Sequence, residues 1–359
     1  MNSNDHSQVC FITTRNVFNT SSLPKYAKIM NYKFDIIYWD QHDIDEDAGA
    51  VNHYRYKYPM VYGKSNLRKM IGYFKFRAFI KKVLKANGYE KLILLPTQTA
   101  ILIFDVLLKR YSKKFIIDIR DYTAEYKKWF YFIEQLIINN AGIAVITSPA
   151  YEKFLPKHDY LISHNFTKIE EETIKIYRGR EKSEKIVISC IGSIRFIEQF
   201  KKVINCFKND DRFELRFVGR GSEHLKNFIL ENNIDNVILI ERFENSRTLE
   251  FYLETDIIMN LYGNNNPFLD FALSNKLYYS AQLGIPILVC DNTYMEQVTK
   301  EYGFGFEFDM NNPHIKTNLY EYYDRINWNN FYESCDLFVK KVEDDEKKFM
   351  KRISEFISD

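Results

Sequence analysis

The sequence predicts an α/β protein of two parallel-sheet domains, and three observations carry that reading. Short apolar runs alternate with longer helix-patterned stretches, the signature of βαβ units. The alternation stops at a charge-dense segment near the middle and then restarts. The chain has 359 residues, 46% of them hydrophobic, enough to bury two separate cores and too many for one small module.

In the first half, strands are expected at Val9–Thr13, Phe34–Trp39, Leu92–Leu95, Phe115–Asp118 and Ala144–Thr147. Between them, Asn66 to Lys85 has the clearest helical spacing, with Leu67, Met70, Ile71, Phe74 and Ala78 along one face. Residues 168–185 carry Glu170, Glu171, Glu172, Arg178, Arg180, Glu181 and Lys182 with almost no aromatics, and are expected to be an interdomain linker. Strands resume at Ile186–Ile191, Phe213–Val218, Val237–Ile240, Asp256–Leu261 and Ile285–Cys290. Phe331–Ile357 is helical and highly charged, with no strand after it to pair. The expected domains are therefore 1–167 and 186–330, followed by a helical segment, 331–359.

Composition removes several function classes. With 50 basic against 48 acidic residues the formal charge is +2, so no general field exists to hold a nucleic-acid backbone. The five cysteines, Cys10, Cys190, Cys206, Cys290 and Cys335, are widely spaced in apolar runs and are expected as buried thiols. Met1 to Gln8 is polar, and the first apolar run is strand-sized, so a cytoplasmic chain without a cleavable signal is expected. Leu92–Leu108 is interrupted by Pro96, Thr97, Gln98, Thr99 and Asp105, well short of the roughly 20 apolar residues of a membrane span. The seven histidines lack paired spacing, so no metal site is expected. Neither repeats nor low-complexity tracts are visible.

Ligands of open parallel sheets sit beyond the carboxyl ends of strands, where helix amino termini present free N–H groups. Three strand exits in the second half are informative. The first is Gly192-Ser193-Ile194-Arg195, a turn that allows close backbone approach, followed by a guanidinium able to clamp two phosphate oxygens. The second is Phe217-Val218-Gly219-Arg220-Gly221-Ser222, with Ser222 placed to cap a helix. It approaches the dinucleotide fingerprint G-x-G-x-x-G, but His224 stands at the third glycine, so a dehydrogenase is disfavoured. The third is Asn260–Pro267 with Ala272–Val289: a polar, glycine-containing exit and a helix opening on Ser274, Asn275 and Lys276 and closing at Gly284. Hydroxyl, amide, ammonium and backbone N–H groups there suit a diphosphate without a metal.

Ser274 to Val289 resembles the "P-x-K-L-x-E-Y-x-A-x-G-x-P-V" stretch of GT-B glycosyltransferases, particularly family-4-like enzymes of bacterial surface-polysaccharide synthesis. Gly192–Lys202 resembles the phosphate-contacting turn of their second domain, and Phe217–Ser222 their "F-V-G-x-G" exit. Order and spacing agree over residues 186–308. In the first half, Asp118-Ile119-Arg120-Asp121 and Ser163-His164-Asn165 are similar to the family's fourth-strand exit and domain-closing segment.

The resemblance implies two Rossmann-like domains facing a cleft, and a last helix that crosses back to the first domain. It also implies a nucleotide-sugar donor, expected to be a UDP-sugar and not a resident cofactor, held by the second domain, with a saccharide or lipid-linked acceptor held by the first. Carried over by position, Arg195 and Lys276 bind the donor diphosphate beside Gly192, Ser193, Gly219, Asn264, Ser274, Asn275 and the backbone of Leu277. Arg15, Asn16, Arg120 and Asp121 fall on the acceptor side. One departure is plain: where the family places a ribose-contacting glutamate this chain has Tyr279, and Asp270 lies nearest its other carboxylate. A GT-B-shaped subunit that supports a partner enzyme without turnover is therefore the alternative, and a nucleotide-sugar epimerase a third reading.

An inverting transfer needs a base, for which Asp121 is the candidate, with an ion pair to Arg120 as its plain structural alternative. A retaining transfer, which the resemblance implies, lets the leaving phosphate take the acceptor proton while Arg195 and Lys276 stabilise the diphosphate. Asp43-Ile44-Asp45 has the D-x-D spacing of metal-dependent transferases but reads better as an exposed acidic loop. From Lys64 to Lys91 there are nine basic residues against the single acid Glu90, interleaved with Tyr73, Phe74, Phe76 and Phe79. That pattern fits peripheral contact with an anionic inner-membrane face, or a solvated basic face with its aromatics in the core.

Overall fold

The apolar runs become strands, and every pairing between them is parallel. The structure is a computed structural model that describes residues 7–59, 66–180 and 184–359. The chain divides into two units, Met1–His164 with Asp345–Asp359, and Asn165–Asp344.

Unit 1 runs β1 (Val9–Thr13), α1 (Leu23–Ile29), β2 (Asp35–Asp40), β3 (His53–Lys57), α2 (Asn66–Asn87), β4 (Lys91–Leu95), α3 (Thr97–Leu102), α4 (Phe104–Arg110), β5 (Phe115–Ile119), α5 (Lys128–Asn140), β6 (Ile143–Ile146) and β7 (Tyr160–Ile162). Its sheet order is β3-β2-β1-β4-β5-β6-β7, so the strand order reverses between β1 and β4. Unit 2 runs α6 (Glu171–Arg178), β8 (Ile186–Ile191), α7 (Ile197–Phe207), β9 (Phe213–Val218), α8 (Lys226–Glu231), β10 (Val237–Ile240), α9 (Thr248–Leu253), β11 (Ile257–Asn260), α10 (Pro267–Asp270), α11 (Asn275–Leu283), β12 (Ile287–Val289), α12 (Tyr294–Tyr302), β13 (Gly305–Glu307), α13 (Ile315–Asp324) and α14 (Trp328–Ser358). Its order is β10-β9-β8-β11-β12-β13, reversing between β8 and β11.

Three strands have no counterpart in the apolar pattern. Each of β3, β7 and β13 lies at a sheet edge, where burial on one side only leaves no continuous apolar run to read. The segment expected as a linker contains α6, which lies in unit 2, buries Tyr177 and packs against α11. Glu171, Glu172 and Lys175 sit on its outer face, while Arg178 turns inward to the Gln282 carbonyl and Asp336; Glu181 and Lys182 fall outside the described residues.

Helix α2 reverses its expected face. Leu67, Met70, Ile71 and Phe74 are exposed, whereas Phe76, Ile80, Val83 and Leu84 are buried. Both faces are apolar, and Trp39 of β2 packs on Tyr73 and Phe76, with Gly72 leaving room for its ring.

Helix α14 begins in unit 2, where Phe331, Cys335, Phe338 and Val342 are buried, and from Asp345 belongs to unit 1, where Phe349 and Ile353 join the core of Phe11, Tyr26 and Phe34. Within unit 1 that end is tied by Lys25 Nζ to Glu346 at 2.8 Å and by His164 Nε2 to Asp345 at 3.2 Å. All five cysteines are free thiols and only Cys206 is partly exposed. No described helix is long and apolar enough to cross a membrane.

Candidate functional site

Where strand order reverses, the two flanking connections leave the sheet in opposite directions and open a crevice at the strands' carboxyl edge. In unit 2 that point lies between β8 and β11, so the exits at Gly192 and Tyr262 face one another. Gly192 has φ +120°, and its N–H donates to the Val218 carbonyl at 2.8 Å. Gly219, φ +133°, packs so tightly that a Cβ on it would lie 1.9 Å from the Gly192 oxygen; one on Gly221 would lie 2.1 Å from the Ile194 oxygen. Gly219→Ala is therefore expected to destabilise unit 2 by about 2–3 kcal/mol and to displace the Gly192 turn, read as a lower urea midpoint. An unchanged midpoint would mean that the two loops do not depend on each other.

Lys276 is the centre of this edge. Ser274 caps α11, its hydroxyl accepting from the Lys276 N–H at 3.3 Å, and the Lys276 side chain runs back beneath the turn, only 5% exposed. Its Nζ lies 3.8 Å from where a Gly192 Cβ would stand, donates to the Tyr262 hydroxyl, and sits 4.9 Å from the centre of that ring. Among the described residues no carboxylate pairs with it. Burial works against its charge, but the surrounding Tyr262, Cys190 and Tyr252 more than offset this and hold its pKa above the ordinary lysine value. Its partners among the described residues are the Tyr262 hydroxyl and ring.

Arg195 is exposed at the same turn and has neither hydrogen bond nor ion pair among the described residues; its neighbour Phe196 packs on Tyr262 with ring centres 5.3 Å apart. Asn275 is exposed at the first turn of α11, and Ser193 is half-buried beside Gly192. The Leu277 N–H donates to the Ser274 carbonyl at 3.0 Å. Asn264 is held by Asp291, donating to Oδ1 at 2.7 Å, so its amide nitrogen anchors the loop. Asp270 has a buried, unpartnered Oδ1, and burial pushes its carboxyl up. A cavity of about 130 Å³, lined by Asn260, Tyr262, Gly263, Ser274 and Thr293 among others, opens beside it.

Tyr279, in the family's glutamate position, is half-buried and stacks on Tyr252 at 4.2 Å and 15°. Ser222 does not cap a helix: its hydroxyl donates to the Ile240 carbonyl, and Gly221 takes the left-handed cap position. Sequence reasoning missed the phenols of Tyr262 and Tyr252, because nothing local ties them to Lys276.

Unit 1 corrects several expectations. Asp121 pairs with Arg15 at 3.4 Å, both exposed, not with Arg120. Arg120 is nearly buried against Asp118 at 2.8 Å, and Asp118 also accepts from the Tyr26 hydroxyl. Asn16 is buried, donates to Asp40 and Glu46 and accepts from the Gln41 N–H, so it shapes the β1 exit and is closed to a ligand. Asp43 and Asp45, with Asp40, surround Arg55, which settles the D-x-D spacing as an acidic loop knit by one guanidinium. Among the described residues no three His, Cys, Asp or Glu side chains gather as a metal set.

No family profile and no curated protein matches this sequence. Solved structures do match, over nearly the whole chain. Sucrose-phosphate synthase of Thermosynechococcus elongatus is 11% identical, covering 92% of this chain and 94% of its own with a TM-score of 0.65. Anabaena HepE, crystallised with UDP and glucose, is 9% identical, covering 98% and 100%, TM-score 0.66. A glycosyltransferase of Rickettsia africae is 12% identical, covering 99% of both chains, TM-score 0.63. The chain therefore has the α/β fold of the GT-B glycosyltransferases. A protein described as a UDP-N-acetylglucosamine 2-epimerase of Listeria monocytogenes shares it at a TM-score of 0.52, so the fold alone leaves the reaction to the site.

Proposed function

We propose that this protein is a glycosyltransferase that moves a sugar from a nucleoside diphosphate, a UDP-sugar, to a saccharide or lipid-linked saccharide in surface-polysaccharide synthesis of the capsule or O-antigen type. The observation that carries this is the Lys276 side chain, buried beside the Gly192 turn with no carboxylate partner among the described residues. A diphosphate supplies the missing negative charge, and Arg195, exposed at the same turn, is the second cation. Asn275 and the Ser193 hydroxyl complete the cradle, Gly192 and Gly219 allow the approach, Asp270 faces the sugar, and Tyr279 lies toward the nucleoside. Two cations meet the diphosphate charge, so the reaction is metal-independent.

The transfer is read as retaining. The bond between the anomeric carbon and the diphosphate oxygen breaks, the acceptor oxygen bonds to that carbon, and its proton passes to the leaving phosphate of UDP. Arg15 and Asp121 are the exposed pair on the acceptor side, with Arg120 behind them. The protein acts in the cytoplasm, and α2 supplies peripheral contact with the inner membrane face; Lys64 itself lies outside the described residues.

The test is calorimetric titration with UDP and GDP, followed by donor turnover across a nucleotide-sugar panel. Arg195→Ala is expected to weaken UDP binding about tenfold, less than loss of Lys276, because an exposed guanidinium is largely water-screened. Binding of neither nucleotide would sink the proposal. The non-catalytic alternative has one observation in its favour, the Tyr279–Tyr252 stack where a carboxylate is expected. Turnover by the isolated protein removes it, and release of a free epimer without acceptor would indicate an epimerase.

A further inference from the structure

Helices α2 and α5 belong to one layer of unit 1. The connections β3-α2-β4, β4-α3-α4-β5 and β5-α5-β6 all advance in the same direction along a parallel sheet, which places their helices on one face. Contacts agree: Arg77 and Lys81 of α2 each reach Asp105 of α4 at 2.8 Å, and α5 packs against α3 and α4. Each helix follows a parallel strand, so their amino-terminal turns lie at the same edge, the carboxyl edge of the sheet.

Large apolar side chains stand in solvent at that edge. On α2 these are Leu67 and Phe74, 60% and 64% exposed, with Met70 and Ile71 between them. On α5 and the turn before it they are Trp129 and Phe132, 57% and 58% exposed, with Tyr126. Arg68, Lys69 and Lys75 flank the first group, and Lys127 and Lys128 the second, all exposed. Neither helix shows a carboxylate to solvent: α2 has none, and the single acid of α5, Glu134, is fully buried.

We infer that α2 and the amino-terminal turn of α5 together form a two-pronged docking surface for an anionic lipid bilayer. The commitment to lipid rests on charge and chemistry. Basic side chains interleaved with aromatic and aliphatic ones match the anionic headgroups and the acyl boundary beneath them. Trp129 and Tyr126 are amphipathic rings suited to that depth. Two separated helix ends fix the orientation of unit 1 on the surface, which one helix alone leaves free to roll. The inference rests on the peripheral contact proposed for α2 and adds α5, which that proposal does not include.

Vesicles of phosphatidylcholine, with and without phosphatidylglycerol, test it. The parent is expected to cosediment with the anionic vesicles alone and to release as salt rises. Its emission should shift to the blue, because Trp129 is exposed while Trp39 is buried and Trp328 packs in the unit 2 core. The double variant Trp129→Ser/Phe132→Ser should bind anionic vesicles at least about tenfold more weakly, and Leu67→Ser/Phe74→Ser likewise, with UDP binding unchanged in both. If only the α2 variant loses vesicles, the α5 prong is wrong and the α2 contact stands. No vesicle binding by the parent overturns both. A parent dimer that the α5 variant converts to monomer would show a second copy as the occupant and overturn the lipid assignment.

Discussion

Lys276→Met is expected to weaken UDP binding by about 100- to 1,000-fold and to abolish donor turnover, while the protein stays folded. Methionine nearly matches the volume of the lysine stem, and the buried position is bounded by Tyr262 and the Gly192 turn, so packing survives. What is lost is a full positive charge held in a water-poor site, where its attraction for a diphosphate is far stronger than at the surface. Tyr262→Phe is the graded companion. It removes the oxygen that accepts from Nζ but keeps the ring, so the ammonium remains yet is no longer aimed; a loss of about tenfold is expected. Calorimetric titration with UDP reads both. Should Lys276→Met bind UDP as the parent does, the anion site lies elsewhere and the proposed function falls with it.

The second large effect concerns stability. Glu134 of α5 is fully buried with neither carboxylate oxygen hydrogen-bonded among the described residues, and desolvation, reinforced by nearby Glu125, pushes its pKa up to about 9. The folded protein therefore holds this proton where the unfolded chain, with an ordinary glutamate near pH 4–5, has lost it. Below the unfolded value both states are protonated and the group adds no pH dependence, only the cost of burying an unpaired neutral carboxyl. As pH rises from there toward about 9, the folding equilibrium loses up to tenfold per pH unit, on the order of 4 kcal/mol by pH 8. Glu134→Met removes that dependence. Its urea midpoint should differ least from the parent's below pH 4 and exceed it by far more at pH 8. An offset between the two proteins that is the same at both pH values would show that Glu134 does not carry the raised pKa.

The strand runs of the two halves, the glycine-bearing exits and the Ser274 cap that opens α11 were legible because each depends on local chemistry: period, turn conformation and capping. Edge strands β3, β7 and β13 were not, since a strand covered on one side carries a weaker apolar signal. Helix α2 shows the limit most clearly. Its sequence is apolar on two faces, and periodicity cannot say which one the sheet takes; Trp39 and Gly72 decide that from β2 and from the helix itself. The same holds for charge. Arg120 and Asp121 are neighbours in sequence, yet their partners are Asp118 and Arg15, because side chains pair across space and alternate in direction along a strand exit.

The sequence by itself determined the α/β class, the place of the interruption between its two halves and the glycine turns and cap at the strand exits of the second half. Those follow from hydrophobic period and from the few residues whose backbone or capping chemistry admits no substitute. Only the tertiary structure decided that Lys276 is buried beneath Gly192 with no carboxylate partner among the described residues, that Asn16 is taken up by Asp40, Glu46 and Gln41, and that burial pushes the Glu134 carboxyl up. Each of these depends on which groups exclude water from one another, and that is set by contacts between residues far apart in the chain.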